Sequence, residues 1–182
     1  MIDDLFNSQE EDEEEDFSHL IPACEEAMTD GKMDSLRFSE EEYEFLLNNF
    51  IMEGNDNMVN ELARLAYIQH PYSADLVIRY ADVLIVRRET EKAKEILHNL
   101  LERTSDNGDI YFLIGRACLK SGEHEEAKEN INKAVALLPD EAAEMYHTAA
   151  QDYIDSAEFE RALDYLIESE AADSSDTELY ND

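Results

Sequence analysis

Hydrophobic and polar positions along this chain follow the spacing of helices, and the pattern recurs every 34 residues. One apolar series runs through Ala127, Ile131 and Ala134 and ends at Pro139. The same series stands earlier at Ala93, Leu97 and Leu100, and before that at Val59, Ala63, Ala66 and Pro71. Apolar residues three and four positions apart share one face of a helix, and proline stops the helix. Each series therefore predicts an amphipathic helix.

A second apolar series precedes the first in every copy and predicts a partner helix. It reads Tyr43, Leu46, Leu47, Phe50; Val77, Tyr80, Ala81, Leu84; Tyr111, Ile114, Gly115, Cys118; and Tyr146, Ala149, Ala150, Tyr153. Its third member is small in three copies, which lets the two helices approach closely. Leu47 breaks this rule, so the first hairpin is expected to be wider or packed differently. Short polar turns such as Ser121-Gly122 separate the two helices.

With these positions in register, the chain resembles the tetratricopeptide repeat (TPR) family, whose pattern is W-x2-L-G-x2-Y, A-x3-F and P over about 34 residues. The units are assigned to residues 40–73, 74–107, 108–141 and 143–176. The departures are the absence of tryptophan, Ser105 and Ser174 in place of proline, and Val59 in place of alanine. The resemblance implies an all-α fold, a right-handed α-solenoid of tandem helix-turn-helix units.

The two ends of the array lead to separate predictions. Residues 1–19, with seven consecutive acids from Glu10 to Asp16, are predicted to be a disordered acidic tail. Residues 20–39 are expected to form a short helix and a connecting loop, because Ser39 and Glu42 have the spacing of a capping box. Residues 177–182 read as the start of a truncated fifth unit, since Tyr180 follows Tyr146 by one period. An uncapped C-terminal face predicts either a longer protein or self-association.

Composition and charge exclude several function classes. A net charge of -32 repels nucleic-acid phosphates and anionic lipid surfaces, so neither is expected as a partner. The acidic N-terminus lacks the pattern of a signal peptide, and the chain has no apolar run long enough for a membrane span. Cys24 and Cys118 are far apart and form no metal or disulfide motif. We therefore expect reduced thiols and a cytoplasmic location, compatible with a bacterial cytoplasm.

No pattern in the chain points to catalysis. The five histidines are scattered and form no HExxH motif, and no serine or cysteine lies in a nucleophile motif. Phosphate-binding glycine loops are absent from the sequence as well. The sequence thus predicts a protein that is not an enzyme, without catalytic residues, cofactor or metal.

The resemblance implies that the first helix of each unit lines a concave groove for a peptide or protein segment. Carried onto this chain, the candidate groove residues are Asn48, Ile78, Arg79, Asp82, Phe112, Arg116, Leu119, Lys120, His147 and Gln151. Their middle is an apolar patch, with Ile85, Val86 and Leu113 added, flanked by cations that suit an acidic residue of a partner. The predicted function is a scaffold or adaptor for a protein partner. The alternatives are a self-association module, forming a homo-oligomer through the C-terminal face, or a docking region of a larger protein.

Overall fold

The computed structural model describes residues 17–104 and 106–179. All regular secondary structure in these residues is helical. The predicted fold class is confirmed in these residues. The chain divides into two compact units, residues 1–36 and 37–182. The predicted acidic tail up to residue 16, Ser105 and Tyr180 lie outside the described residues.

From residue 17 onward, the first unit contains one α-helix, α1 (Ile21–Asp30), between two short 3₁₀ turns at Ser18–Leu20 and Met33–Ser35. Pro22 lies in the first turn of α1, where its missing amide hydrogen is not needed. The helix ends at Gly31, whose positive φ lets the amide of Lys32 reach the carbonyl of Ala27 at 2.8 Å.

The second unit consists of helices in antiparallel pairs. The helices are α2 (Glu40–Met52), α3 (Asp56–Gln69), α4 (Ala74–Val86), α5 (Thr90–Leu101), α6 (Gly108–Ser121), α7 (His124–Leu137), α8 (Ala142–Asp155) and α9 (Phe159–Leu179). Each predicted repeat holds one pair, and the first helices of successive repeats lie against each other. The capping box at Ser39 and Glu42 is present at the start of α2. The unit is an α-solenoid.

The same turn joins the two helices of every pair. The amide of the residue just before each second helix donates to a carbonyl near the end of the first: Asn55 to Phe50, Glu89 to Leu84, Glu123 to Cys118 and Glu158 to Tyr153, at 2.8–2.9 Å. The residue before that amide has a positive φ: Gly54, Arg88, Gly122 and Ala157. Two of the four turns therefore hold a side chain in the left-handed region that favours glycine.

The small residue predicted on each first helix has a direct structural reason at Gly115. A Cβ atom there would lie 2.7 Å from Cγ1 of Ile131 and 3.1 Å from the carbonyl oxygen of Ala127, both on α7. The first distance is shorter than a Cβ contact allows and the second is unusually short, so the close approach of α6 to α7 requires glycine here.

Helix α9 continues past the predicted end of the fourth repeat. It reaches Leu179 without a loop at 176–177, where a fifth repeat would begin. Ser174, which stands where the stop proline is expected, keeps its amide hydrogen and can remain helical. The fifth unit stays a prediction.

Candidate functional site

The first helices α2, α4, α6 and α8 form the surface that the repeat pattern predicts as a groove, and we call it the groove face. Side chains join neighbouring helices across it. Nη2 of Arg79 donates to Oδ1 of Asn48 at 3.0 Å, which links α4 to α2. Nη1 of Arg116 donates to Oδ1 of Asp82 at 2.5 Å, and its Nε donates to Oδ2 of Asp152 at 2.7 Å. Arg116 on α6 therefore holds α4 and α8 together.

Asp152 is the centre of a buried ion cluster in the middle of the groove face. Its other oxygen accepts from Nζ of Lys120 at 2.7 Å. The side chains of Arg116, Lys120 and Asp152 are only 11%, 7% and 6% exposed. Burial lowers the pKa of Arg116, but the hydrogen bond that Arg116 donates to Asp152 and the charges of Asp82 and Asp152 outweigh it, and the pKa is raised. These two cations are already neutralised within the chain.

Sequence reasoning missed Asp152 as a site residue. It lies one repeat and two residues after Arg116 and is enclosed between the buried residues Ala150 and Tyr153. A carboxylate on the buried side of an amphipathic helix is unusual without a partner cation. That signal was present in the apolar series of α8, but the sequence did not show which cation would reach it.

The other candidate groove residues divide into open and closed positions. Asn48, Arg79, His147 and Gln151 are exposed, and Ile78, Asp82 and Phe112 are half-buried. Leu119 is buried, as are Ile85 and Leu113 of the predicted apolar patch. Half of the residues of the predicted apolar patch therefore pack between helices, and Arg116 and Lys120 are held by the ion cluster.

An apolar cavity opens between the first two repeats. Its volume is 310 Å³. We call it the first-repeat cavity. The lining comes from α2, α3, α4 and the residue after α4: Leu47, Ile51, Asp56, Val59, Asn60, Arg79, Asp82, Val83, Val86 and Arg87. Ile51 and Val86 are exposed at its rim.

One group of possible metal ligands occurs in the described part of the chain. Ligand atoms of Cys118, Glu123 and Glu126 lie within 4.8 Å of one another. Burial, with a smaller effect of the Glu126 charge, raises the pKa of Cys118 to about 12. Nζ of Lys94 lies 2.8 Å from the carboxylate of Glu123. A protonated thiol and a neutralised carboxylate are poor ligands, so these residues do not fit a metal.

The second thiol is similarly unreactive. Burial, with a smaller effect of the Glu25 charge, raises the pKa of Cys24 to about 11. Nucleophilic chemistry requires the thiolate, which both pKa shifts oppose at neutral pH.

No helix among the described residues has the length and apolar content to cross a membrane.

Comparisons with known proteins agree with this architecture. Residues 88–151 match the family described as tetratricopeptide repeat. No curated protein matches the chain in sequence.

Solved structures of MamA have a similar fold. One, described as the crystal structure of MamA, is 16% identical, with a TM-score of 0.56 over 85% of this chain and 96% of that one. The chain described as MamA 41-end from Desulfovibrio magneticus RS-1 is 14% identical, with a TM-score of 0.56 over 87% and 96%. MamA MSR-1 is 19% identical, with a TM-score of 0.54 over 88% and 93%. These identities establish similarity of fold alone.

The fold, the repeat register and the matched segment agree with one another. The four helix pairs of the second unit follow the same turn and the same period. The matched segment covers the end of the second repeat, the third repeat and the first helix of the fourth. Repeats of this kind typically serve protein–protein interaction rather than catalysis. Residues 88–151 are therefore a tetratricopeptide repeat segment, and the rest of the second unit continues the same helix pairs.

Proposed function

We propose that this protein is a non-catalytic scaffold that binds a peptide or protein segment on its groove face. The observation that carries the proposal is that ion pairs fix the first helices of three repeats relative to one another, while other side chains of the groove face remain exposed. Arg116, Asp82, Asp152 and Lys120 join three repeats through short ion pairs. Asn48, Arg79, His147 and Gln151 remain exposed on the same helices. A groove face held in one geometry lowers the ordering cost of binding.

Arg79 is the cation of the groove face best suited to a partner. Its hydrogen-bond acceptor is the neutral amide of Asn48, and no carboxylate in the described part of the chain pairs with it. Arg116 and Lys120 are both held by Asp152. An acidic residue of the partner would therefore pair with Arg79 at a lower free-energy cost than with Arg116 or Lys120, which are buried and already paired. We also propose a cytoplasmic location in a bacterium, on the charge and cysteine content of the sequence.

A charge reversal at Arg79 tests the groove. We expect the full-length chain to capture a partner from a soluble extract, and Arg79→Glu to lose that partner because the new carboxylate repels its acidic residue. Lys128→Glu is the matched control, since Lys128 is exposed on the second helix α7. Mass spectrometry identifies the captured protein, and circular dichroism checks that both variants keep their helix content. Equal capture by wild type and Arg79→Glu would contradict the proposal.

A second candidate, self-association, is favoured by an apolar stripe on α9. Phe159, Leu163 and Ile167 are 65%, 58% and 56% exposed. The equivalent positions of α7 hold the polar residues His124, Lys128 and Asn132. At another position of α9 the replacement runs from apolar to charged. Glu170 stands where the earlier second helices have Tyr67, Leu101 and Val135. This face therefore differs from one that receives another repeat, and a second copy of the chain is the occupant that we propose for it.

The oligomeric state tests this second candidate. If α9 joins two copies, the mass measured by light scattering should rise with protein concentration, and Leu163→Glu should keep the protein monomeric. A charge within an apolar contact carries a large desolvation penalty. Glu168→Lys, at an exposed position on the side of α9 away from Phe159 and Leu163, is the control and should leave association intact. A constant monomer mass for the wild type would rule the candidate out.

A further inference from the structure

The first-repeat cavity contains the two residues at which the first repeat departs from the family pattern. Leu47 stands where the later repeats have Ala81, Gly115 and Ala150, and Val59 stands where they have Ala93, Ala127 and Ala162. Both Leu47 and Val59 line the cavity. In the third repeat the corresponding contact is closed, since a Cβ at Gly115 would collide with α7. Leu47 and Val59 thus line a cavity in the first repeat, whereas close packing of α6 against α7 leaves no such space in the third repeat.

The lining of this cavity is apolar on three helices and open at one edge. Leu47 and Ile51 come from α2, Val59 from α3, and Val83 and Val86 from α4. Leu47 is buried, whereas Ile51 and Val86 are exposed. Exposed aliphatic groups around a concave apolar site favour burial of a further apolar side chain. At 310 Å³ the volume is at the lower end for ligand pockets, which suits one inserted side chain.

The charged residues around the cavity differ in whether an opposite charge or a helix dipole compensates them. Asp82 pairs with Arg116, and Arg87 pairs with Glu89 at 2.9 Å. Asp56 lies in the first turn of α3, where the helix dipole favours a negative charge. Arg79 donates to the neutral amide of Asn48. Among the described residues that line the cavity, Arg79 therefore supplies a positive charge without a carboxylate partner.

We propose that the first-repeat cavity is the anchor site of the partner segment, binding one aliphatic or aromatic side chain next to an acidic residue. The apolar side chain inserts between Leu47, Val59 and Val86. The acidic residue lies on the groove side of the cavity and accepts hydrogen bonds from Arg79. This inference rests on the proposed groove function and adds the chemistry of the segment that is recognised.

Selection of short random peptides displayed on phage against the full-length chain tests the inference. Enriched peptides are expected to share an aliphatic or aromatic residue adjacent to aspartate or glutamate. A synthetic peptide from the selection is then titrated by fluorescence anisotropy. Val59→Phe, which fills the cavity, should weaken binding by about tenfold or more, because it excludes the anchor side chain. Arg79→Gln should weaken binding by about threefold or more and reduce its dependence on salt.

A second cavity variant and a control make the result independent of folding. Val86 is exposed, so Val86→Ser should leave the thermal unfolding temperature unchanged and still weaken the peptide by about threefold. Glu95→Gln, on the exposed side of α5, should leave the affinity unchanged. A peptide whose affinity falls with His147→Ala, but not with Val59→Phe or Val86→Ser, overturns the cavity inference and leaves groove binding in place. Failure of the wild type to enrich any peptide counts against both.

Discussion

Replacing Asp152 by alanine is expected to lower the free energy of unfolding by about 3–5 kcal/mol, measured by urea denaturation. The substitution leaves Arg116 and Lys120 buried without their shared carboxylate. Removing one member of a buried ion pair is costly because the remaining charge has no compensating partner and little access to water. Arg116 retains Asp82, which is half exposed and reaches only one edge of the guanidinium. Lys120 has no second carboxylate among its ion pairs in the described residues.

Asp155 offers a matched control on the same helix. It is exposed near the end of α8 and accepts a hydrogen bond from Gln151 at 3.0 Å. Asp155→Ala should change the free energy of unfolding by less than about 0.5 kcal/mol, because exposed polar contacts contribute little. A loss of the same small size for Asp152→Ala would show that the ion cluster does not hold the repeats together.

A fully apolar replacement separates the cost of unpaired charges from the value of the pairs themselves. In the triple variant Arg116→Met, Lys120→Met and Asp152→Leu, no buried charge of the cluster remains without a partner except at half-exposed Asp82. Buried ion clusters replaced by apolar residues of similar volume are often neutral in stability. The triple variant is therefore expected to be more stable than Asp152→Ala alone.

Replacing Ile131 by alanine is expected to lower the free energy of unfolding by about 2–5 kcal/mol, because Ile131 is fully buried between α6 and α7. The same residue limits what fits at Gly115, since its Cγ1 would lie 2.7 Å from an added Cβ. Gly115→Ala alone should therefore destabilise the protein by overpacking, even though alanine favours a helix interior by about 1 kcal/mol over glycine.

The two substitutions are expected to be coupled. In the Ile131→Ala background, loss of Cγ1 removes the shortest contact of the added methyl, so Gly115→Ala should become nearly neutral or stabilising. The coupling free energy from the double-mutant cycle should be about 0.5–3 kcal/mol. Gly108→Ala provides the control, because its Cβ meets the side chain of Leu138 instead. Additive effects of Gly115→Ala and Ile131→Ala would contradict the close approach of the two helices.

Much of the solenoid follows from local sequence. The apolar series centred on Ala127 and Ile131 predicts α7, and Ser39 with Glu42 predicts the start of α2, because both depend on contacts within a few residues. The turns are less evident. Arg88 and Ala157 adopt the left-handed conformation without the glycine that would announce it, since packing of the two helices imposes the turn.

The candidate site is less predictable than the fold. Leu47 and Val59 are visible as departures from the repeat pattern, but a larger residue can close a space as easily as line one. Only the packing of α2, α3 and α4 shows that both residues border the same cavity. Leu119 illustrates the opposite error, because its groove position suggests a contact with a partner and the structure buries it between helices.

The sequence by itself determined the helical repeat and its period, because these depend on spacing along the chain, whereas the choice of the first helices as the groove face came from the family resemblance. Only the tertiary structure decided which of the groove cations are open to a partner. Arg116 and Asp152 are 36 residues apart, and their hydrogen bond exists because α6 and α8 pack side by side. Arg79 meets an amide on α2 instead. The difference arises from electrostatics between helices, since a cation's availability depends on the carboxylates that packing brings within reach.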